Sequence, residues 1–589
     1  MARKDTPARS LTVPLTCSLA AAACWWAAFP PCSLRWAAWL PPVFWSLILQ
    51  RRLASASGPD FCERVSLWTG AYLGWLGLLH WMCFPVAWTV GIWMLSAAVL
   101  AGLFVLFIET AAQLARSRIP LPLTMAITWT GVEWYRRMAS PLSLPFGALE
   151  HSQCPHPHVI QLAGLGGDYA VGAVMVGVGA LVGQVISPWV PRQASTPTWV
   201  GRTIRLLIAL ALVGTQIGYG HWRLQSARPP ETLKHPARTV GLIQSTANLS
   251  GFAGPAATDA AFEQCRHLSA KHGSLADLIV WPEAACRVDW IDVKVGYTPP
   301  ELRHLPTDQR HALITQTRSR VASPLTHLAR EAGCPLLINT RVRDASASGL
   351  HGLPTNSTLL VDPGGTIGPR YDKIMLAPIL EFDPARAFCR RDVFMTSQFR
   401  CGDSTQAVAI PIRKNRLPVA ADRGAASGDV QRSFTGAVAI CFDSFFPEVI
   451  RRSITRLTER GKQPDVLIAV SNVGDISRSS AADMLLAAHV YRAVENGIQC
   501  ITASNAGSSG RIDSNGRLVQ MGAAGTAECI LVDISRDRQW TLFALVGTVW
   551  GQICAGVTGA TALLLLCRRL GTRCRCWILR HCPPARRPE

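Results

Sequence analysis

Apolar positions in this 589-residue chain crowd into the first two fifths and into one stretch near the C-terminus. Residues 11–30 carry no charge, and a second apolar run covers 36–50 with Pro41-Pro42 inside it. Residues 65–108 contain no Asp, Glu, Lys or Arg. That is twice the roughly 20 residues that cross a bilayer, so the run predicts two helices divided at Phe84-Pro85. A fifth run starts at 119–132 and ends near Arg136-Arg137. A sixth covers 159–187, broken only by Asp168; a seventh covers 206–220; an eighth, uncharged throughout, covers 541–567. One or two such runs would fit core helices of a soluble protein. Eight predict a polytopic α-helical membrane domain of about eight spans.

Between residues 234 and 538 the pattern changes. Short β-branched runs at 239–244, 278–281, 335–339, 357–361, 437–440, 466–470 and 529–532 read as strands. Helical patterns lie between several of them, at 259–272, 313–332 and 480–496. That alternation predicts a layered α/β domain. Residues 413–432, rich in Gly, Ala, Asp and Arg, read as a surface insertion. The expected division is 1–225 for seven spans, 236–537 for a catalytic domain, 541–567 for the last span and 568–589 for a basic tail.

Charge adds orientation. The formal net charge is +20, which could suggest nucleic acid, but much of the excess is Arg at the edges of apolar runs. Arg3, Lys4 and Arg9 precede the first run; Arg51, Arg52 and Arg64 follow the second. Arg116 and Arg118 follow the fourth, Arg192, Arg202 and Arg205 the sixth, and seven arginines the eighth. All fall on one side if the N-terminus is cytoplasmic, with only Arg136-Arg137 dissenting. The catalytic domain is then extracytoplasmic. Nineteen cysteines are too dilute for a disulfide scaffold.

Three strand ends deliver reactive side chains. Leu278-Ile-Val-Trp-Pro-Glu283 delivers a carboxylate after a Pro-rigidified turn. Tyr371-Asp-Lys373 follows the turn Asp362-Pro-Gly-Gly365 and delivers an amine. Ala437-Val-Ala-Ile-Cys441 delivers a thiol, then Phe442-Asp443. Singly, each fits a solvated residue or an inert core thiol. Their order and contexts together resemble the nitrilase superfamily: Trp281-Pro282-Glu283; Tyr371, Lys373, Leu376, Pro378 and Glu381; and Ile440-Cys441, Asp443, Phe446-Pro447-Glu448. Ser471-Asn472, Arg492-Ala493-x-Glu495-x-Gly497 and Ala503-Ser504-Asn505-Ala506-Gly507 match further. Seven apolar runs before such a domain and one after it resemble the apolipoprotein N-acyltransferases. Pro145-Phe146-Gly147, Gln161-Leu-Ala163 and Gly167-Asp-Tyr169 are similar to that family's re-entrant loop and sixth span. Two departures stand out. Ser471-Asn472-Val473-Gly474-Asp475 lacks the family's aromatic pair, and Pro378-Ile379-Leu380-Glu381 keeps the Glu but not the Gly.

The resemblance implies an αββα sandwich on a membrane bundle, with no cofactor and no metal. It implies Glu283 as base, Lys373 as oxyanion donor and Cys441 as nucleophile, supported by Glu381, Asp443 and Phe442. The implied reaction moves a fatty acyl chain from a membrane phospholipid to the α-amine of a diacylglyceryl-cysteine on an apolipoprotein. The implied place is the bacterial inner membrane, with the catalytic domain periplasmic. The same triad could instead serve a membrane-tethered amidase or nitrilase, or persist in an inactive scaffold. His151, Cys154, His156 and His158 read as a polar turn before a metal site. Cys574, Cys576, His581 and Cys582 read as part of a disordered basic tail. Cys389 and Cys401 flank a short segment and could pair. Asp168, an acid within an apolar run, is a functional candidate.

Overall fold

The computed structural model describes residues 7–55, 61–83, 89–139, 143–187, 198–226, 238–246, 255–293, 304, 306–345, 353–378, 380–383, 399–403, 407–412, 434–474, 476, 479–523 and 525–581. Phe84-Pro85, the 413–432 stretch, Asp475, Cys389 and Cys582 lie outside these.

The N-terminal part is a helical bundle: α1 (Pro7–Ala27), α2 (Pro41–Ala54), α3 (Phe61–Leu78), α4 (Thr89–Arg116), α5 (Leu121–Trp134), α6 (Asp168–Ile186) and α7 (Thr198–Ser226). Pro41 and Pro42 open α2, where a missing N–H costs nothing. Among the described residues, four helices are long and apolar enough to cross a membrane. They are α4, α6, most of α7 and the Val549–Leu570 part of a late helix. The expected eight spans are therefore supported only in part. α2 and α5 have 14 residues each, about 21 Å at 1.5 Å per residue, against a hydrocarbon core of roughly 30 Å. An aromatic knot holds the bundle. The Trp25 ring meets those of Trp45, Trp75 and Trp129 at centroid distances of 5.8, 5.0 and 5.6 Å.

The expected sixth span is not one helix. Short turns at Pro157–Ile160 and Ala163–Gly166 come first, and α6 starts only at Asp168. Gly167 breaks the helix with φ +74°, and a Cβ there would lie 2.9 Å from the Phe543 ring. Asp168 is fully buried. It receives Arg137 at 2.8 Å, Arg492 at 3.2 Å and His151 at 3.2 Å. Arg137 also pairs with Glu150 and, at 2.9 Å, with Glu133, which holds Arg136 at 2.6 Å. Both arginines are 1% exposed. Their dissent from the charge rule has this cause: they answer internal carboxylates and do not report a cytoplasmic loop.

The catalytic domain contains, in chain order, β1 (Arg238–Gln244), α8 (Pro255–His272), β2 (Leu278–Val280), β3 (Trp290–Val293), α9 (Thr307–Ala332), β4 (Leu336–Ala345), β5 (Thr355–Val361) and β6 (Ile367–Asp372). There follow β7 (Ile410–Ile412), β8 (Phe434–Ile440), α10 (Pro447–Glu459), β9 (Val466–Asn472), α11 (Ser480–Asn496), β10 (Gln499–Asn505), β11 (Gly510–Ile512), β12 (Leu518–Met521) and β13 (Glu528–Ile534). One sheet runs β13-β1-β2-β4-β5-β6 with β3 beside β4; the other runs β12-β11-β10-β9-β8-β7. The strand pairs β1/β2, β2/β4, β8/β9 and β9/β10 are parallel, while β4/β5 and β5/β6 are antiparallel. Val280, Leu337, Ile440, Ile468 and Val470 fill the space between the sheets. α8 and α9 cover the first sheet, α10 and α11 the second. The result is an αββα sandwich.

The last helix, α12 (Val549–His581), returns to the bundle and packs on α5 and α4. It does not stop near 567 as expected. Arg569, within what read as a disordered tail, reaches Glu109 at 2.6 Å, and the helix continues past it. Gly131 of α5 admits it, since a Cβ there would meet Thr558 and the Cys554 carbonyl.

Removing one partner from a fully buried charge network leaves the others uncompensated, at about 3–5 kcal/mol. Asp168→Ala should therefore lower the unfolding free energy of the detergent-solubilised protein by that much, read by denaturant titration. A loss below about 1 kcal/mol would mean that the network is solvated.

Candidate active site

Each predicted residue sits where a strand ends. Glu283 follows β2, Lys373 follows β6, and Cys441 follows β8. The backbone is unusual at three points around them. Ala284, Cys441 and Ala506 have φ of 62°, 46° and 53°, a region that non-glycine residues seldom enter and that clusters at functional sites. The seven residues of β8 are all buried, so its end is held firmly enough to sustain that geometry.

Lys373 lies at the centre. It is 2% exposed, and its Nζ is 2.9 Å from Glu283 Oε1 and 2.8 Å from Glu381 Oε2. Burial alone would lower its pKa, but the two carboxylates outweigh it and hold the amine firmly charged. Glu381 is also fixed by the Ala377 N–H at 2.7 Å. The expected link from Glu381 to Lys373 is thus direct.

Two asparagines that the sequence did not single out complete the frame. Asn356 Nδ2 donates to Glu283 Oε1 at 2.8 Å and to Glu381 Oε1 at 2.9 Å. Asn339 Nδ2 donates to Asn356 Oδ1 at 2.8 Å, while Asn339 Oδ1 accepts from the Ala284 N–H at 2.8 Å. Asn339 of β4 pairs with Thr358 and Asn356 of β5 pairs with Arg341, so the two asparagines are diagonal neighbours, two positions apart on adjacent strands. The available signal was an Asn within an apolar strand pattern at the sheet edge that also carries Glu283.

The thiol meets the carboxylate at Asn472. Cys441 Sγ lies 4.0 Å from the Asn472 carbonyl, and the Asn472 N–H donates to Glu283 Oε2 at 3.0 Å. Asn505 Nδ2 donates to the Glu283 carbonyl. Burial pushes the Cys441 thiol well above the ordinary cysteine range; Glu283 adds to this and Lys373 opposes it. The resting sulfur is therefore a neutral thiol.

Asp443 ties the lysine segment to the cysteine turn. It accepts from Tyr371 Oη at 2.9 Å and from the N–H groups of Ile374, Met375 and Ile440 at 3.2, 2.7 and 3.2 Å. Burial pushes its pKa up to about 6, with the Met375 N–H and Lys373 acting against the rise. Phe442 is buried and packs on Phe445 and Phe446. Phe146, in the segment between α5 and α6, meets the same group, 4.7 Å from Phe445 and 6.3 Å from Phe442. The membrane half therefore touches the nucleophile turn directly.

Among the described residues, His151, Cys154, His156 and His158 are not gathered into one ligand set. His151 groups instead with Glu150 and Asp168, and Arg137 already engages both acids.

A neutral thiol has a distinct signature. Alkylation of Cys441 by iodoacetamide should rise about tenfold per pH unit from 7 to 9, since only the thiolate reacts. Glu283→Gln should speed alkylation at pH 7, because a neighbouring negative charge is gone and Lys373 stays. Peptide mapping by mass spectrometry reads both. A plateau below pH 8 would show a preformed thiolate.

The carbon-nitrogen hydrolase family model matches residues 239–540, and the model of the apolipoprotein N-acyltransferase N-terminal domain matches residues 21–181. An apolipoprotein N-acyltransferase of Geobacter metallireducens is 24% identical over 547 residues, covering 90% of this chain and 92% of the relative. One of Sinorhizobium fredii is 25% identical over 483 residues, covering 79% and 80%. Among solved structures, a carbon-nitrogen hydrolase from Helicobacter pylori aligns at 15% identity and a TM-score of 0.33, over 54% of this chain and 94% of that one. By these matches the chain belongs to the carbon-nitrogen hydrolase family, in the branch of the apolipoprotein N-acyltransferases.

Proposed function

We propose that the protein transfers a fatty acyl chain from a membrane phospholipid to the α-amine of an N-terminal S-diacylglyceryl-cysteine, through a thioester on Cys441. The observation that carries this reading is the convergence of Glu283, Lys373 and Cys441 at three strand ends, beside a loop of the membrane bundle. The bundle gives lipid-borne substrates a lateral way in, which a hydrolase of small amides would not need.

The chemistry follows from the charges. Glu283 takes the thiol proton as sulfur attacks the ester carbonyl carbon. The oxyanion that forms is met by the Lys373 ammonium and by the N–H that follows Cys441, that of Phe442. The carbon–oxygen bond breaks, Glu283 returns the proton to the leaving oxygen, and lysophospholipid departs. In the second half the acceptor amine attacks the thioester carbonyl. Glu283 accepts the amine proton and passes it to the leaving sulfur, so amide and free thiol result. Glu381 and Asn356 keep Lys373 and Glu283 in place through both steps.

The arrangement we infer has about eight spans, N-terminus cytoplasmic, catalytic domain on the periplasmic side of the inner membrane. The one-sided arginine loops support it. The four long apolar helices and the return of α12 are consistent with it.

Incubation with phospholipid and no acceptor should give one acyl adduct by intact-protein mass spectrometry, absent in Cys441→Ser. An adduct that survives the substitution would remove Cys441 from the mechanism. Lys373→Arg keeps the charge but replaces a compact ammonium by a longer planar fork, between two carboxylates that leave no room for it. Loss of one oxyanion donor costs roughly 2.7–4 kcal/mol. Thioester formation should therefore slow about 10²–10³-fold, with the protein still folded. A rate within a few-fold of the unsubstituted protein would reduce Lys373 to a charge alone.

A further inference from the structure

A cavity of about 180 Å³ opens between the second sheet and α11. Ser471 and Val473 line it from β9 and the turn beyond, Thr502 and Ser504 from β10, His489 and Asp483 from α11. Its position is set by register. Ile440 pairs with Val470, and Ser471 pairs with Ser504. Cys441 therefore falls in one row with Ser471 and Ser504, on three neighbouring parallel strands. Strands lie about 4.8 Å apart, so the cavity begins about 5 Å from the nucleophile's strand and reaches about 10 Å. Ligands of open α/β sheets bind at such carboxyl ends.

Its inner wall lacks partners. His489 is 2% exposed, and neither ring nitrogen has a hydrogen bond; the Thr502 hydroxyl, on a residue 1% exposed, has none either. Burial, with Arg492 adding to it, lowers the His489 pKa to about 4, so the ring is neutral. A neutral imidazole offers one donor and one acceptor, and a hydroxyl offers both. The matching ligand is an uncharged group that also donates and accepts. An acyl chain does neither. A phosphodiester only accepts, and it would meet the Asp483 carboxylate at the mouth, although Arg35 lies within electrostatic reach of Asp483. A peptide amide does both.

We propose that this cavity is the acceptor-polypeptide subsite, holding amide groups of the residues just after the modified cysteine. The proposal rests on the acyl-transfer reading. In that reaction the amine that attacks the thioester carbonyl carbon on Cys441 belongs to the first residue of a polypeptide, which must leave the site along some path. An offset of 5–10 Å corresponds to about two or three extended residues at roughly 3.3 Å each. The hydroxyl and imidazole groups along that row supply what a peptide backbone loses on leaving water.

The test uses the full chain in mixed micelles with phosphatidylethanolamine as donor. Two acceptors are compared: diacylglyceryl-cysteine amide alone, and the same cysteine followed by four residues. His489→Leu should raise the KM of the longer acceptor about tenfold, the equivalent of losing 1.4 kcal/mol of binding. Its kcat should stay within twofold, and the KM of the short acceptor should not move. Thr502→Val should act in the same direction and more weakly, and it serves should His489→Leu fail to fold. An unchanged KM for the longer acceptor in both variants would mean that the cavity holds only water. Slower thioester formation with acceptor KM unchanged would assign it to the lipid donor instead. Either result overturns the proposal. If the unsubstituted protein forms no thioester with phospholipid, the acyl-transfer reading itself falls, and that is seen before any acceptor is added.

Discussion

One ammonium shared by two carboxylates governs this active site. Lys373 is buried between Glu283 and Glu381, so the trio carries one excess negative charge in a place where charge is poorly solvated. A thiolate at Cys441 would double that excess. The sulfur consequently keeps its proton until an electrophile arrives, and proton transfer to Glu283 has to accompany attack. The asparagine pair is part of the same accounting. Asn356 donates to both carboxylates, spreading the surplus charge without adding a cation that would compete with Lys373 for them. Asp443 keeps the geometry from drifting by fastening the lysine segment to the cysteine turn.

A second buried electrostatic assembly joins the two halves of the molecule. Asp168 starts α6 in the bundle, yet it receives Arg492 from α11 of the catalytic domain, while its own N–H donates to Glu495. Tyr491 adds a hydrogen bond to the Glu150 carbonyl at 2.7 Å. α11 thus presents one side to the membrane bundle and another to the cavity beside β9 and β10. Whatever orders that helix is felt both at the membrane junction and at the strand ends that carry the chemistry.

Much of this was legible in the sequence because strand ends and apolar runs leave local marks. The strands at 239–244, 357–361 and 466–470 lie within the observed β1, β5 and β9, and the 480–496 helix matches α11 at both ends. β3, β6, β7, β10, β11 and β12 were not among the strands read from the sequence. β3, β7, β11 and β12 are three or four residues long, too short for a period of two to register, whereas β6 has six residues and β10 seven, with polar residues among the apolar ones. The catalytic Glu, Lys and Cys were readable from their contexts. Asn339 and Asn356 were not, because their importance lies in pairing across two strands, and single positions do not carry that. Charge counting failed at Arg136 and Arg137 for a related reason. Arg136 is held by Glu133, three residues before it, and Arg137 by Glu133 and by Glu150 and Asp168, 13 and 31 residues away, so a rule that counts only loop cations took as solvent-facing two that are internal. The same holds for the apolar runs: a run of 14 residues and one of 28 look alike as patches of hydrophobicity, but only the longer spans a bilayer unaided.

The packing of α12 has a consequence for how the protein is made. α5 keeps Gly131 bare so that Thr558 and Cys554 can approach, and Arg569 reaches back to Glu109 on α4. Everything between Ser226 and Val549 is synthesised in the interval. During translation the bundle therefore waits with an open groove until α12 emerges to fill it. Nascent chains stalled before that point would carry a complete nitrilase-like domain on an unfinished base. Such chains would expose the faces of α5 and α4 that α12 otherwise covers.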